Sequence, residues 1–375
     1  MANINKRKLN FAKITKMFFY MFCFVLTIEI CARVDDLLTY NAPLLSKYTS
    51  FRLRTIDTDG IPVNVPSIRF EKWQNNRFGF RGPDIEEAKP DNIVRIVCMG
   101  QSESYGLYEN PDMEWPAQLS SMLSGSLFEV INASVVGMGL EKCYAYLDKY
   151  VFKFNPDVII LCINPYGYAA VYERSSERNP GPAGAGKNKI VRSSLKLSDI
   201  IDNVRVFPKM KQSIKKLLPP SILHSYQLKK SVSELKQAEE KVLKGKKPKD
   251  YISETVLNKY REDVERLITQ ISEKGISVII LSYPALLDKN NINLYPHIHA
   301  SQRFWLVEYS LNGAIDISTK IDSVMKVIAE EKQLGFVDSR FSPPHDPDHF
   351  SDGVHYTNEG ARIVAENVAR VILKQ

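Results

Sequence analysis

The chain has 375 residues, 44% hydrophobic and 25% charged, which is enough chain and the right composition for a globular protein with a sizeable core. Its formal charge of +7 is uneven: residues 187–250 hold 17 Lys or Arg against 6 Asp or Glu, a local excess of +11. Basic character confined to one segment excludes a nucleic-acid-binding surface built over the whole chain.

At the N-terminus, Lys6, Arg7, Lys8, Lys13 and Lys16 precede an apolar run at 17–32, broken by Thr27 and Glu29. Sixteen helical residues span about 24 Å, just short of a bilayer core of about 30 Å. Ile14 and Thr15 extend the run, with Lys16 reaching back to the headgroups. The basic flank stays cytoplasmic, so the rest of the chain is expected outside the cytoplasm, at the periplasm or cell surface. A cleaved signal peptide is the rival reading. No A-x-A site follows, and Ile28-Glu29-Ile30-Cys31 lacks the small residues of a lipoprotein site, so an uncleaved single-pass anchor is preferred over residues 1–33.

Residues 34–90 show no long helical period and read as a connecting region. It ends on the turn-rich Arg77-Phe78-Gly79-Phe80-Arg81-Gly82. From 91 to 375 short apolar runs alternate with helical stretches. The runs are 93–99, 130–133, 158–163, 276–281 and 335–337. The helix candidates are 115–123, 141–153, 254–274, 319–332 and 358–373. Continuous apolar strands alternating with helices predict a mostly parallel five-stranded sheet covered on both faces, a three-layer α/β/α sandwich. Ligands in such sheets bind beyond the carboxyl ends of the strands. An insertion at about 170–250 interrupts the rhythm. It holds the loop-like 180–186 and basic, partly amphipathic stretches at 206–218 and 226–243. A charged helical surface or a site for anionic headgroups or acidic polysaccharide both fit it.

The cysteines Cys23, Cys31, Cys98, Cys143 and Cys162 are odd in number and form no CxxC pair. They read as buried thiols, without a disulfide framework or zinc site.

Gly100-Gln101-Ser102-Glu103-Ser104-Tyr105-Gly106 directly follows the first sheet strand. A serine in a glycine-flanked turn at a strand end is displayed at the binding edge, and it becomes a nucleophile once a neighbouring base takes its proton. The same serine also fits a helix cap, and the motif alone does not separate the two. The G-x-S-x-G elbow is absent, because Ser104 stands where the second glycine would be. Near the C-terminus, Ser351-Asp352-Gly353-Val354-His355 precedes Tyr356-Thr357-Asn358-Glu359-Gly360 and the last helix. An Asp three residues before a His can turn back to accept the Nδ1 proton, leaving Nε2 free as a base. A second D-x-x-H stands at Asp346-Pro347-Asp348-His349. Asp352 and His355 are preferred because the segment after them leads straight into an amphipathic helix.

Gly137 follows the second strand in Asn132-Ala133-Ser134-Val135-Val136-Gly137, where a backbone N–H can approach an oxyanion closely. Asn164 follows the third strand and offers a side-chain amide for the same purpose, though each is also an ordinary turn residue. Together, three successive strands deliver Ser, Gly and Asn to one sheet edge, and a C-terminal loop delivers Asp and His. The residues His345, His349 and His355 with Asp346, Asp348 and Asp352 invite a metal reading. Pro343, Pro344 and Pro347 make that stretch a stiff, irregular loop rather than a helix with ligands at i, i+4, so no metal or other cofactor is expected.

On these residues the chain resembles the SGNH, or GDSL-type, serine hydrolases, over roughly 92–163 and 276–373. Ser102 matches the family's first block with Gln101 in place of the usual Asp. Gly137 falls at the second block, Asn164 at the third between Ile163 and Pro165, and Asp352 and His355 at the last. The resemblance implies a flavodoxin-like sandwich and metal-free ester hydrolysis. It assigns Ser102, Asp352 and His355 to catalysis, and the Ser102 N–H, Gly137 N–H and Asn164 amide to the oxyanion hole. The N-terminal anchor and the 76–82 lead-in resemble membrane-tethered bacterial members. A carboxylesterase or O-acetylesterase acting on a small-molecule or envelope-glycan ester is the implied function. A polysaccharide O-acetyltransferase of the same fold and a non-catalytic glycan-binding domain are the alternatives.

Overall fold

The computed structural model describes residues 2–40, 42–45, 53–70, 72–125, 127–176, 204–217, 220–291, 293–340 and 342–374. The expected loop at 180–186 lies outside them. The chain divides into two units: residues 1–50, 69–72 and 188–219, and residues 51–68, 73–187 and 220–375.

The smaller unit is built on α1 (Ala2–Tyr40). Its stretch Lys13–Tyr40 is long and apolar enough to cross a membrane. Helix formation runs past the expected end at 33 because the chain continues without Pro or Gly until Pro43. Phe18, Phe19, Tyr20, Phe22 and Phe24 are each more than half exposed, which in water would be unfavourable and in hydrocarbon is not.

In the larger unit five strands form one sheet: β1 (Val94–Met99), β2 (Phe128–Asn132), β3 (Val158–Leu161), β4 (Ser277–Leu281) and β5 (Gly335–Val337). Their order is β2-β1-β3-β4-β5 and every pairing is parallel. This is the flavodoxin-like order, with its topological switch between β1 and β3. Sixteen of the 23 residues in these strands are Val, Ile, Leu, Cys or Met, as a sheet covered on both faces requires.

The helices of this unit are α2 (Ser102–Tyr105), α3 (Trp115–Met122), α4 (Leu140–Tyr146), α5 (Pro165–Ser176), then, after α6 (Val206–Leu217) of the smaller unit, α7 (Pro220–Leu243), α8 (Glu254–Ser272), α9 (Pro296–Trp305), α10 (Leu311–Glu331) and α11 (Asn358–Ile372). Helices α3 and α11 pack together on one face. Helices α4, α5, α8 and α10 form the layer on the other. The predicted helix at 141–153 is interrupted: α4 gives way to a π turn at Leu147–Val151 and a 3-10 turn at Phe152–Phe154. Cys98, Cys143 and Cys162 are buried as expected. Cys31 is exposed and Cys23 half-buried, both on α1.

The stretch after residue 52 packs on the sheet's edge. Arg54–Ile56 pairs antiparallel with Pro62–Asn64. The Arg81 N–H donates to the Asn132 carbonyl at 3.0 Å, and the Asn64 side chain donates to the Ser134 carbonyl at 2.8 Å. These bonds satisfy backbone groups at the carboxyl end of β2 that no strand covers.

Candidate active site

Strand β1 ends at Met99, and the chain turns through Gly100 and Gln101 into α2. Only glycine fits at 100, since a Cβ there would lie 2.3 Å from Ser104 Oγ. The Gln101 N–H donates to Glu103 Oε1 at 2.7 Å, and Glu103 is wholly buried. This tight turn sets Ser102 at the first position of α2, at the carboxyl edge of the sheet beside the topological switch.

The C-terminal loop is fixed from both sides. Phe350 and Tyr356 form an antiparallel bridge, and the Ser351 N–H donates to the His355 carbonyl at 2.8 Å. Thr357 caps α11 by accepting from the Gly360 N–H at 3.1 Å. Within the loop, Asp352 Oδ1 accepts the N–H groups of Val354 and His355, each at 2.9 Å. The carboxylate then lies 2.8 Å from His355 Nδ1, and His355 Nε2 lies 2.7 Å from Ser102 Oγ. Ser102, His355 and Asp352 therefore form one hydrogen-bonded line.

Its electrostatics follow from burial and charge. Burial would lower the His355 pKa. The hydrogen bond and charge of Asp352, with the charges of Glu103 and Glu109, outweigh burial and hold it above the ordinary histidine value. Burial would raise Asp352, but the His355 hydrogen bond and charge outweigh it and hold the carboxylate below its usual range.

Gln101, where the resembled family usually has Asp, has a definite place. Its amide donates to the Met138 carbonyl, and its Oε1 accepts from Asn164 Nδ2 at 3.2 Å. Asn164 Oδ1 accepts the Gly167 N–H at 3.0 Å, which fixes the amide's orientation and directs its NH2 toward Gln101. Gly137 stands next to Met138 with φ +67°, a conformation suited to glycine. Arg54 Nη1 donates to the Val136 carbonyl at 2.9 Å and to the Gly137 carbonyl at 2.8 Å. In a trans peptide the Gly137 N–H points opposite to the Val136 carbonyl, so Arg54 turns that N–H away from itself. Gln101 thus ties the Asn164 amide and the Gly137–Met138 turn to the residue preceding Ser102.

Three contributors escaped the sequence reading: Arg54, Tyr108 and the buried Glu103. The Tyr108 ring lies 4.8 Å from that of His355, and burial together with the nearby Asp352 charge pushes the pKa of its hydroxyl up. Arg54 and Tyr108 sit in no motif, Arg54 lying 48 residues before Ser102, and Glu103 stands inside the Ser102 motif without a role that the sequence assigns. The second D-x-x-H adopts the same local turn, with His349 Nδ1 at 2.7 Å from Asp346, but among the described residues no serine bonds to it. His345 pairs with Asp288 at 2.8 Å and with the Arg340 carbonyl. Among the described residues no three His, Cys, Asp or Glu side chains are grouped to share a metal ion.

A groove of about 920 Å³ opens between the end of α7 and the end of α9, with Lys241, Lys244, Lys247, Phe304 and Trp305 among its lining. Helix α9 joins it to the loop of Asp352 and His355: Gln302 packs against Gly353, its Oε1 2.6 Å from where a Cβ would stand.

Fold and site together define the class: a flavodoxin-like α/β/α domain carrying a Ser–His–Asp line at the carboxyl edge of its sheet. No family model and no curated protein matches the chain. Solved structures do. A lipolytic protein of the G-D-S-L family from Desulfitobacterium hafniense DCB-2 is 12% identical, covering 74% of this chain and 99% of its own, with a TM-score of 0.40. A lipase/acylhydrolase from Enterococcus faecalis is 15% identical over 75% and 95%, with a TM-score of 0.41. A catalytic mutant of an acetylxylan esterase from Geobacillus stearothermophilus is 13% identical over 75% and 96%, with a TM-score of 0.40.

Proposed function

We propose that this chain is a serine ester hydrolase of the SGNH type, held at a membrane by α1 with its larger unit outside the cytoplasm. The observation that carries the reading is the 2.7 Å contact of Ser102 Oγ with His355 Nε2, on an imidazole whose Nδ1 faces Asp352. In the proposed reaction His355 takes the Ser102 proton as Oγ attacks the acyl carbonyl. Asp352 holds the tautomer and stabilises the imidazolium. The Asn164 amide and the Gly137 N–H receive the oxyanion. His355 then protonates the departing alcohol, and water repeats the sequence to release the acid. The reaction needs no metal. Labelling of folded protein by a fluorophosphonate probe tests this: the probe should attach at Ser102, and absence of labelling would favour a non-catalytic domain.

An ester carried on a glycan is the proposed substrate. The groove lined by Trp305, Phe304 and lysines supports it, because aromatic faces stack on sugar rings and lysines suit acidic ones. Trp305→Ala should lower kcat/KM on an acetylated oligosaccharide and leave aryl acetate turnover unchanged. Mass analysis of products with and without a sugar acceptor separates hydrolysis from transfer.

A further inference from the structure

Helix α6 belongs to the basic segment and plays no part in the triad. It carries Lys209, Lys211, Lys215 and Lys216 and no acidic residue. Phe207, Met210 and Ile214 recur at i, i+3 and i+7, so they share one face, and each is about half exposed, at 49%, 51% and 49%. A row of large apolar side chains on a cationic helix is costly in water and is the signature of a helix lying in a membrane interface.

The place of α6 on α1 agrees. Glu29 accepts the backbone N–H groups of Arg205 and Val206, each at 3.0 Å, so a carboxylate of α1 caps the start of α6. Arg205 forms a buried ion pair with Asp36, and Lys209 bonds to Asp35 and Asp36. These contacts fall at the end of the apolar run, about 10 Å along the helix from Glu29 to Asp36. That is the level at which α1 would leave the hydrocarbon. The chain after α1 returns to the same level: Arg33 Nη1 donates to the Leu44 carbonyl at 2.7 Å, leaving Leu44 and Leu45 exposed.

We infer that α6 and the Leu44–Leu45 turn form a membrane-interface foot beside the anchor, with Phe207, Met210 and Ile214 in the acyl boundary of an anionic lipid surface that attracts the net positive charge of the helix. The inference rests on the anchor reading of α1 and extends it. Basic residues near an anionic surface are attracted to it.

The test uses the full chain, with Cys23→Ala and Cys31→Ala, in vesicles of phosphatidylcholine with and without phosphatidylglycerol. A bimane label is placed on a single cysteine at 207, 210 or 214, at 213 off the row, or at 22 in the anchor. Labels at 207, 210 and 214 should be quenched by doxyl lipid and shielded from iodide, and the label at 213 should be less so. The quenching should weaken without phosphatidylglycerol or after Lys211, Lys215 and Lys216 are changed to Gln. Lipid quenching at 22 with iodide access at 207, 210 and 214 overturns the foot and leaves the anchor standing. Shielding of the row without lipid quenching also overturns it, because protein then covers the face. Iodide access at 22 overturns anchor and foot together. Insensitivity to both phosphatidylglycerol and lysine removal overturns the anionic-surface assignment.

Discussion

Ser102 Oγ and His355 Nε2 lie 2.7 Å apart although 253 residues separate them. One group stands at the carboxyl end of β1 and the other in the loop that enters α11. Two bonds tie these regions together: the Asn110 N–H donates to Asn358 Oδ1 at 2.9 Å, and Gln118 Nε2 to the Asn358 carbonyl at 2.9 Å. The contact is therefore a product of packing between the segment following Ser102 and the start of α11.

Removing Ser102 Oγ or the Asp352 charge should abolish most turnover of an aryl acetate without unfolding the chain. Ser102→Ala is expected to lower kcat by about 10^4-fold or more, and Asp352→Asn by about 10^4-fold because the imidazole takes the wrong tautomer. Asp346→Asn, in the other D-x-x-H, should leave kcat near the parent value. Kinetics paired with circular dichroism check this, and an Asp346 effect as large as that of Asp352 would contradict the assignment.

As the proposed base, His355 would act only when neutral, and its pKa is raised by Asp352 against the effect of burial. Activity should therefore rise with pH along a limb centred above the ordinary histidine value of about 6.5. Asp352→Asn should move the limb of its residual activity to lower pH. The stability signs follow from the same shifts. The His355 contribution is complete below its unfolded pKa and is lost as pH rises through the folded value. The Asp352 contribution is present above its unfolded value near about 3.9 and is lost as pH falls through the folded one. A kcat/KM limb at or below the ordinary value would refute the raised His355 pKa.

Asn164→Ala should reduce kcat by about a hundredfold, the scale of one oxyanion donor, with little change in KM. Gln101→Ala should give a smaller loss of the same kind, since Gln101 acts by holding Asn164 and the Gly137–Met138 turn. Restoration of most of this loss by Gln101→Glu, which keeps an acceptor for Asn164 but loses the donor to Met138, would assign the larger share to the Asn164 bond. A change in KM alone would instead place both residues in ground-state binding.

Gly106 ends α2 with φ +82°, and a Cβ there would lie 2.3 Å from Glu114 Cβ. Glu114 has little room to yield, being buried and paired with Arg81 at 3.4 Å. Gly106→Ala should cost at least about 1–2 kcal/mol from the left-handed backbone alone. It should also lower kcat by displacing α2 and Ser102. Denaturant unfolding alongside kinetics checks both, and an unchanged midpoint would refute the strain.

The five strands could be read from the chain because a sheet buried on both faces requires continuous apolar runs, and 335–337 is matched to the residue. Helix α5 was not legible: it begins at Pro165 directly after a strand and contains Gly167, features shared with turns. Helix α9 was hidden in the same way behind Pro296. The break of 141–153 into three kinds of turn was also out of reach, since it depends on what Leu147, Val151 and Phe154 pack against.

The sequence by itself determined the alternation of strands and helices, the apolar helix behind a basic flank, and which residue types could do acyl chemistry. These are local properties: the period of burial, the propensity of a turn, the reach of an Asp to a His three residues on. Both D-x-x-H segments satisfy that local geometry equally, and so each histidine meets its aspartate. Only the tertiary structure decided which of them meets a serine. It also gave Gln101 its bond to Asn164 and Arg54 its hold on the Gly137 turn. Such contacts are set by strand order and by packing between segments far apart in the chain, and no local pattern encodes them.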